Sequence, residues 1–268
     1  MTLTDLENNF AHLSAKRTHY RDQDLGIAGS AENDDDEVTI WFVRLDQGAR
    51  SVERLSRLLS HDEQDRARRL RFRHDAIRFV TLRAVLRTVV AERLGVSPEE
   101  ISFAYGPYGK PELAMPFDRR GVAFNVSHSA DLGVVAVTAR HRVGVDIERV
   151  RPLPDLEAMS EQVFSPREHE MLRAIPSILR PRAFLNGWTR KEAYIKAIGT
   201  GCSHPLARFS VSLAPGAPVR LEQCDDDASE PERWTLEALD PDPDHVAAIA
   251  VEGRPQRMIC RTWREIAQ

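Results

Sequence analysis

The chain has 268 residues, a mass of 30.3 kDa and 42% apolar residues, enough for one large domain or two modest ones around a real core. A net charge of −4 argues against a general nucleic-acid binder. The apolar runs, residues 132–137 among them, are far short of the ~20 a bilayer span needs. Three cysteines (Cys202, Cys224, Cys260) with no CxxC pair argue against a disulfide framework or zinc site and fit a reducing, cytoplasmic compartment.

Residues 1–37 read as a loose extension without the basic start and apolar core of a secretory signal. They end in the self-repelling run Asn33 to Glu37. Residues 38–45 (VTIWFVRL) read as a strand. A short helix is expected at 51–59, a charged one at 62–72 and a long one at 75–94, with Gly95 as its C-cap. Residues 50–93 hold twelve arginines against six acids, an excess suited to a phosphate-bearing ligand, an acidic partner or simply a solvated face. A strand at 101–105 leads into the turn GPYGKP (106–111), and 122–126 pairs with 133–138 as a hairpin. Residues 143–147 form a strand. The second half repeats the order: a helix at 181–198, a break at Gly199-Thr200-Gly201, then strands at 208–213, 219–222, 234–239 and 246–251. The strings LGVVAVTAR (132–140) and HVAAIAVEG (245–253) hold equivalent places. The expected fold is α+β: two similar, pseudo-duplicated lobes, 38–142 and 143–268. Each has a long helix on a mainly antiparallel sheet, and a cleft lies between them.

Chemistry concentrates near the junction. In VGVDIE (143–148), Asp146 and Glu148 share one face of a strand. Their repulsion is reversed by a hard divalent cation, or relieved if they are a solvated end paired with Arg149 and Arg151. In WTRKEAYIK (188–196), Trp188, Glu192 and Lys196 fall on one helical stripe. Glu192 with Lys196 is also an ordinary ion-pair spacing. A third carboxylate brought to the pair completes an oxygen set for Mg²⁺ or Mn²⁺, and Lys191 and Lys196 then face phosphate oxygens. Of 37 basic residues only Lys16, Lys110, Lys191 and Lys196 are lysines. In FNVSHS (124–129), Asn125, the serines and His128 make local turn hydrogen bonds, or the hydroxyls and the imidazole, Ser127 and His128 among them, grip a phosphate. As strand neighbours Ser127 and His128 point to opposite faces, which argues against a Ser–His nucleophile.

YGKPEL (108–113), FNVSHS, VGVDIE and WTRKEAYIKAIGTG (188–201), in this order, resemble the 4′-phosphopantetheinyl transferases of the surfactin-synthetase-activating type. The resemblance implies Mg²⁺-dependent transfer of the 4′-phosphopantetheine arm of coenzyme A to a serine of an acyl or peptidyl carrier protein, releasing 3′,5′-ADP, by a cytoplasmic monomer. It implies that Asp146, Glu148 and Glu192 hold the metal, with Glu192 and Lys196 catalytic. It places Lys110, Ser127, His128 and Lys196 at phosphates, and Arg66 and Arg78 at the 3′-phosphoadenosine end. Two positions depart from the family pattern: Phe79 stands where the family has Thr, and Glu63 where a basic residue is usual. A Mg²⁺-dependent nucleotide or CoA pyrophosphate hydrolase, or a non-catalytic CoA- or carrier-binding protein, would share these residues.

Overall fold

The computed structural model describes residues 36–106, 109–214 and 216–264. Of the expected N-terminal extension, residues 1–35 lie outside the described part. Asp36 and Glu37 are already tied into the fold: Glu37 opens strand β1 (Glu37–Arg44) and receives a hydrogen bond from Arg257, while Asp36 meets His141 Nε2 at 2.7 Å.

The first lobe continues with helices α1 (Ala49–Ser56), α2 (His61–Arg69) and α3 (Arg73–Leu94). Helix α2 stops earlier than its charge pattern suggests, because Leu70 and Phe72 are extended (ψ 131° and 137°) and form a corner before α3. Gly95 ends α3 in the left-handed region at φ +66°, where a side chain would be strained. A short hairpin, β2 (Phe103–Tyr105) and β3 (Pro111–Leu113), carries the Gly-Lys-Pro turn. Strands β4 (Ala123–Ser129) and β5 (Leu132–Thr138) follow.

The second lobe opens with β6 (Val143–Arg149) and two helices that the periodicity did not reveal, α4 (Leu156–Val163) and α5 (Pro166–Ala174). Helix α5 begins with a capping box, Ser165-Pro166-Arg167-Glu168, which is a readable start signal. The long helix α6 (Arg180–Ile198) is followed by β7 (Phe209–Val211), β8 (Leu221–Cys224), the single turn α7 (Glu230–Arg233), β9 (Trp234–Leu239) and β10 (His245–Glu252). The last strand, β11 (Arg257–Thr262), returns to the first lobe and pairs in parallel with β1. The sheets therefore do not divide at residue 142 alone.

The two main sheets have matching orders: β1-β5-β4, extended by β11, and β6-β10-β9, with antiparallel neighbours in each core trio. They stack face to face. Val38, Ile40, Val134 and Ala136 meet Val145, Ile147, Ile249 and Val251 in one fully apolar layer. At roughly 1.5–3 kcal/mol per buried aliphatic side chain, this layer joins the lobes more firmly than a polar interface could. On the outer faces, Trp41, Val43 and Val135 pack under Val85, Leu86 and Val89 of α3. Val246, Ala248 and Ala250 pack under Tyr194 and Ala197 of α6. The result is four layers, helix–sheet–sheet–helix, as expected of two duplicated α+β lobes.

Candidate active site

Strands β4 and β6 run side by side at the lobe junction but belong to different sheets. No shared backbone ladder joins them, and alternate side chains of β4 take its place. Asn125 Oδ1 accepts the Val145 N–H at 2.9 Å, Ser127 Oγ donates to Asp146 Oδ1 at 2.7 Å, and Ser129 Oγ donates to Glu148 Oε2 at 2.8 Å. The period of two is that of the strand itself. It explains why polar residues occupy one face of an otherwise apolar segment.

Gly144 brings the third acid close. A Cβ on it would overlap the carbonyl of Ala193 and the amide of Ala197, so only glycine lets the α6 backbone rest on β6. Ala193 and Ala197 form that contact. Their helical neighbours Glu192 and Lys196 are carried over Asp146. Lys196 Nζ lies 2.6 Å from Asp146 Oδ1 and 3.1 Å from Ser127 Oγ. Lys110, reaching from the β2–β3 turn, donates to the Lys196 carbonyl at 2.6 Å, and its burial pushes its ammonium below the usual lysine range. It fixes the last turn of α6 and thereby the base of Lys196.

The carboxylates feel one another. Burial pushes both Glu148 and Glu192 above the ordinary glutamate range. The charge of Asp146 adds to each shift; Ser129 opposes it at Glu148 and Lys196 at Glu192. Asp146 is 4% exposed, and its second oxygen, Oδ2, is buried with no hydrogen-bond partner. An unpaired buried carboxylate oxygen is costly. Beside two further carboxylates, it fits a hard divalent cation that takes oxygen ligands. Asp146, Glu148 and Glu192 do not each bring a ligand atom within 4.8 Å of the others; among the described residues, the three metal-capable groups that do are Glu157, Glu161 and His169. There Glu157 is already paired with Arg173 at 3.2 Å.

The other face of β4 looks into a pocket of about 290 Å³. Val126 and His128 line it with Phe79, Leu82 and Leu86 of α3, under a rim that includes Arg66 and Arg78. His128 is open to solvent by area. Even so, partial burial and the cations Lys196 and Arg78 hold its imidazole below the ordinary value. Arg78 is engaged by Asp46 at 2.9 Å and 3.3 Å, and the Arg66 guanidinium lies 5.1 Å from the Phe79 ring centre. Arg83, also in the lining, is 8% exposed and sits over the rings of Phe79, Phe103 and Tyr105, with Nη1 unpartnered. The sequence reading missed Arg83 and Asp46, and it expected Asn125 to bond within its own turn, whereas it bonds across to Val145. For Arg83 the available signal was the run Phe79, Arg83, Arg87 at helical spacing.

Lys191 is a correction. It was expected to face phosphate, but it is 0% exposed inside the second lobe. Its ammonium lies 2.8 Å from Glu168 and donates to the carbonyls of Leu206 and Phe209. Adjacent residues on a helix point about 100° apart. With Glu192 turned to the cleft, Lys191 turns into the core. The structure thus brings Asp146, Glu148, Glu192, Lys196, Ser127 and Lys110 to one recess and Arg66, Arg78 and His128 to the adjoining pocket. Lys191 is left out of both.

The family profile described as "4'-phosphopantetheinyl transferase, N-terminal" matches residues 48–140, and that of the "4'-phosphopantetheinyl transferase superfamily" matches residues 142–250. The 4'-phosphopantetheinyl transferase HetI of Nostoc sp. is 38% identical over 218 residues, covering 81% of this chain and 89% of its own. A 4'-phosphopantetheinyl transferase of Bacillus subtilis is 32% identical over 188 residues, covering 69% and 81%. The human L-aminoadipate-semialdehyde dehydrogenase-phosphopantetheinyl transferase is 27% identical over 208 residues, covering 73% and 67%. Two profiles meeting at the lobe junction, and relatives that align across it, show that this chain is an enzyme belonging to the 4′-phosphopantetheinyl transferase superfamily.

Proposed function

We propose that the chain moves the 4′-phosphopantetheine arm of coenzyme A onto a serine of an acyl or peptidyl carrier protein, with the recess between β4, β6 and α6 as the reacting centre. The observation that carries this reading is the buried, unpartnered Asp146 Oδ2 beside two carboxylates and the Lys196 ammonium.

The apolar walls of the pocket, Phe79, Leu82 and Val126, suit a flat base, and Arg66, Arg78 and His128 at its edge suit phosphate. Asp46 already occupies Arg78, so an incoming phosphate competes with a carboxylate for that guanidinium. The pyrophosphate then lies toward Lys196. Asp146, Glu148 and Glu192 would hold Mg²⁺ or Mn²⁺, which supplies charge neutralisation for the pyrophosphate oxygens.

The carrier serine Oγ forms a bond to the phosphorus that bears the pantetheine arm. The bond from that phosphorus to the bridging oxygen breaks, and 3′,5′-ADP leaves with the electron pair. Glu192, the acid that α6 carries to the recess, takes the serine proton. Lys196 stabilises the charge that builds on the transferred phosphoryl oxygens. Lys110 holds Lys196 for that task through the α6 carbonyl. Both walls of the site come from one chain, which supports action as a monomer. Coenzyme A as donor supports a cytoplasmic setting. Among the described residues no helix is long and apolar enough to cross a membrane.

Purified protein incubated with CoA, Mg²⁺ and an apo carrier should add the mass of the arm to the carrier. Glu192→Gln should lower kcat by 10²–10⁴-fold, the range of a lost general base, with an unchanged circular dichroism spectrum. Nucleotide release without carrier modification would convict a hydrolase instead, and CoA binding with no turnover a non-catalytic binder.

A further inference from the structure

The corner between α2 and α3 carries Arg66, Arg68, Arg69, Arg71 and Arg73 within eight residues, interrupted by Leu70 and Phe72. These side chains divide in two directions. Arg66 and Leu70 turn inward and line the pocket. Phe72 turns outward and is 50% exposed, unusual for a phenylalanine with a core close by. The Arg71 guanidinium lies 5.1 Å from its ring centre, and His74 stacks on it at 5.5 Å, nearly parallel at 13°. Among the described residues, no carboxylate lies within 4.0 Å of Arg69, Arg71 or Arg73. Arg68, by contrast, is held by Asp65 at 2.6 Å. The patch is thus an exposed ring stiffened by Arg71 and His74, with Arg69 and Arg73 close by in the chain and, among the described residues, no carboxylate paired to any of the three arginines.

We infer that this corner is the docking surface for the carrier protein. It selects a face on which carboxylates surround an apolar depression able to take the Phe72 ring. The chemistry is that of an interface anchor: aromatic and arginine side chains dominate binding when they are held in place before contact, and stacking on Phe72 does that for Arg71 and His74. The location fits, because the same corner forms the rim of the pocket, so a partner seated on Phe72 stands beside the bound donor. The chain's net charge of −4 weighs against a nucleic acid or an anionic membrane as the occupant. This inference rests on the transferase reading above and names the partner-facing surface of that same site.

The test uses the full chain with CoA and an acidic apo carrier domain, measuring KM for each substrate separately. Phe72→Ala, and separately the triple variant Arg69→Gln/Arg71→Gln/Arg73→Gln, should each raise the carrier KM by about tenfold at low salt. KM for CoA and kcat should stay within about twofold, since neither set lies in the reacting recess. The gap between parent and triple variant should shrink at about 0.5 M salt, where exposed charges are screened within a few ångströms. A rise in KM for CoA instead would assign these arginines to the donor's phosphates. Unchanged carrier KM in both variants would remove the corner from docking. Binding of the parent to anionic vesicles or to RNA, lost in the triple variant while carrier KM holds, would assign it to another partner; each of these results overturns the inference. If the parent modifies no carrier at all, the transferase reading itself falls, which separates the two failures.

Discussion

The two lobes solve the same structural problem with the same parts and then diverge at a few positions. In the first lobe, Ser60 and Glu63 form the capping box of α2, and Glu63 Oε2 is reached by Arg87 of the long helix at 2.7 Å. Arg87 is almost fully buried and also donates to the carbonyls of Pro98 and Ile101. In the second lobe, Ser165 and Glu168 form the capping box of α5. Glu168 meets Lys191 of the long helix, which donates to the carbonyls of Leu206 and Phe209. Each long helix ends on a left-handed glycine eight residues past its buried cation, from 87 to Gly95 and from 191 to Gly199. Glu63 is therefore a cap and a counter-ion, which explains an acid where the family resemblance suggested a base.

The divergence lies on the facing strands. With residues 132–140 laid over 245–253, the strand registers match Trp41 to Asp146, Val43 to Glu148 and Thr39 to Gly144. In the first lobe these positions are bulky, and the helix packs on Trp41 and Val43 as ordinary core. In the second, glycine admits the helix backbone and two acids take the place of apolar bulk. On the proposed reading, a duplicated scaffold hosts chemistry in one copy and stability in the other, and the choice rests on three strand residues.

The comparison breaks most visibly if Lys191 is not structural. Lys191→Met should leave Glu168 buried without its cation, whereas Arg87→Met leaves Glu63 the longer contact to Arg83 at 3.6 Å. Removing one partner of a buried pair typically costs about 3–5 kcal/mol, so the Lys191 variant should lose that much in urea unfolding and the Arg87 variant less. A Lys191→Met protein of parental stability that no longer binds CoA would restore Lys191 to the ligand and end the equivalence.

Gly144 tests the divergence itself. Gly144→Ala forces a methyl against helix backbone that has no flexible end to yield. The expected cost is about 1–3 kcal/mol of stability, with kcat lowered about 10²-fold because Glu192 and Lys196 move by close to an ångström. Thr39→Ala at the matching position of β1 should lower stability by less than about 1 kcal/mol and leave kcat alone. Equal effects at both positions would mean that helix approach has nothing to do with the site.

Local patterns carried the fold class, the long helices and the acids of the proposed site, because period-2 and period-3.6 signals and the Gly95 cap are written in neighbouring residues. What escaped is informative. The expected strand at 122–126 ended too early; β4 runs to Ser129, and only that extension turns Asn125, Ser127 and Ser129 together toward β6. Strand β11 pairs with β1 across more than 200 residues, from Glu37 to Arg257, and no local period encodes a parallel partner so remote. Lys191 was misplaced because a lysine next to a site glutamate invites a shared role, although the helix turns the two apart. Its real partner, Glu168, was legible as the fourth residue of a capping box.

The smallest expected effect concerns His128, on the first-lobe strand that looks into the pocket. In the second lobe the matching strand, β9, ends at the buried Leu239, which falls at the place of Ser127; the register puts Asp240, just past the strand, at the place of His128, so no imidazole stands there. Partial burial, then Lys196 and Arg78, hold the His128 imidazole below the 6.5 of a free histidine. Between that lowered value and 6.5 the unfolded chain binds more protons than the folded one. The contribution of neutral His128 to stability is therefore complete above 6.5 and declines as pH falls through the folded-state value. A proton-resolved titration of the free protein should place this imidazole below 6.5. Adding inorganic pyrophosphate should raise it, since an anion at the pocket rim offsets the cations that depress it. His128→Gln should flatten that part of the pH–stability curve. An imidazole that titrates at or above 6.5 in the free protein would mean that the two cations do not act on it, and the pocket would lose its pre-set positive edge.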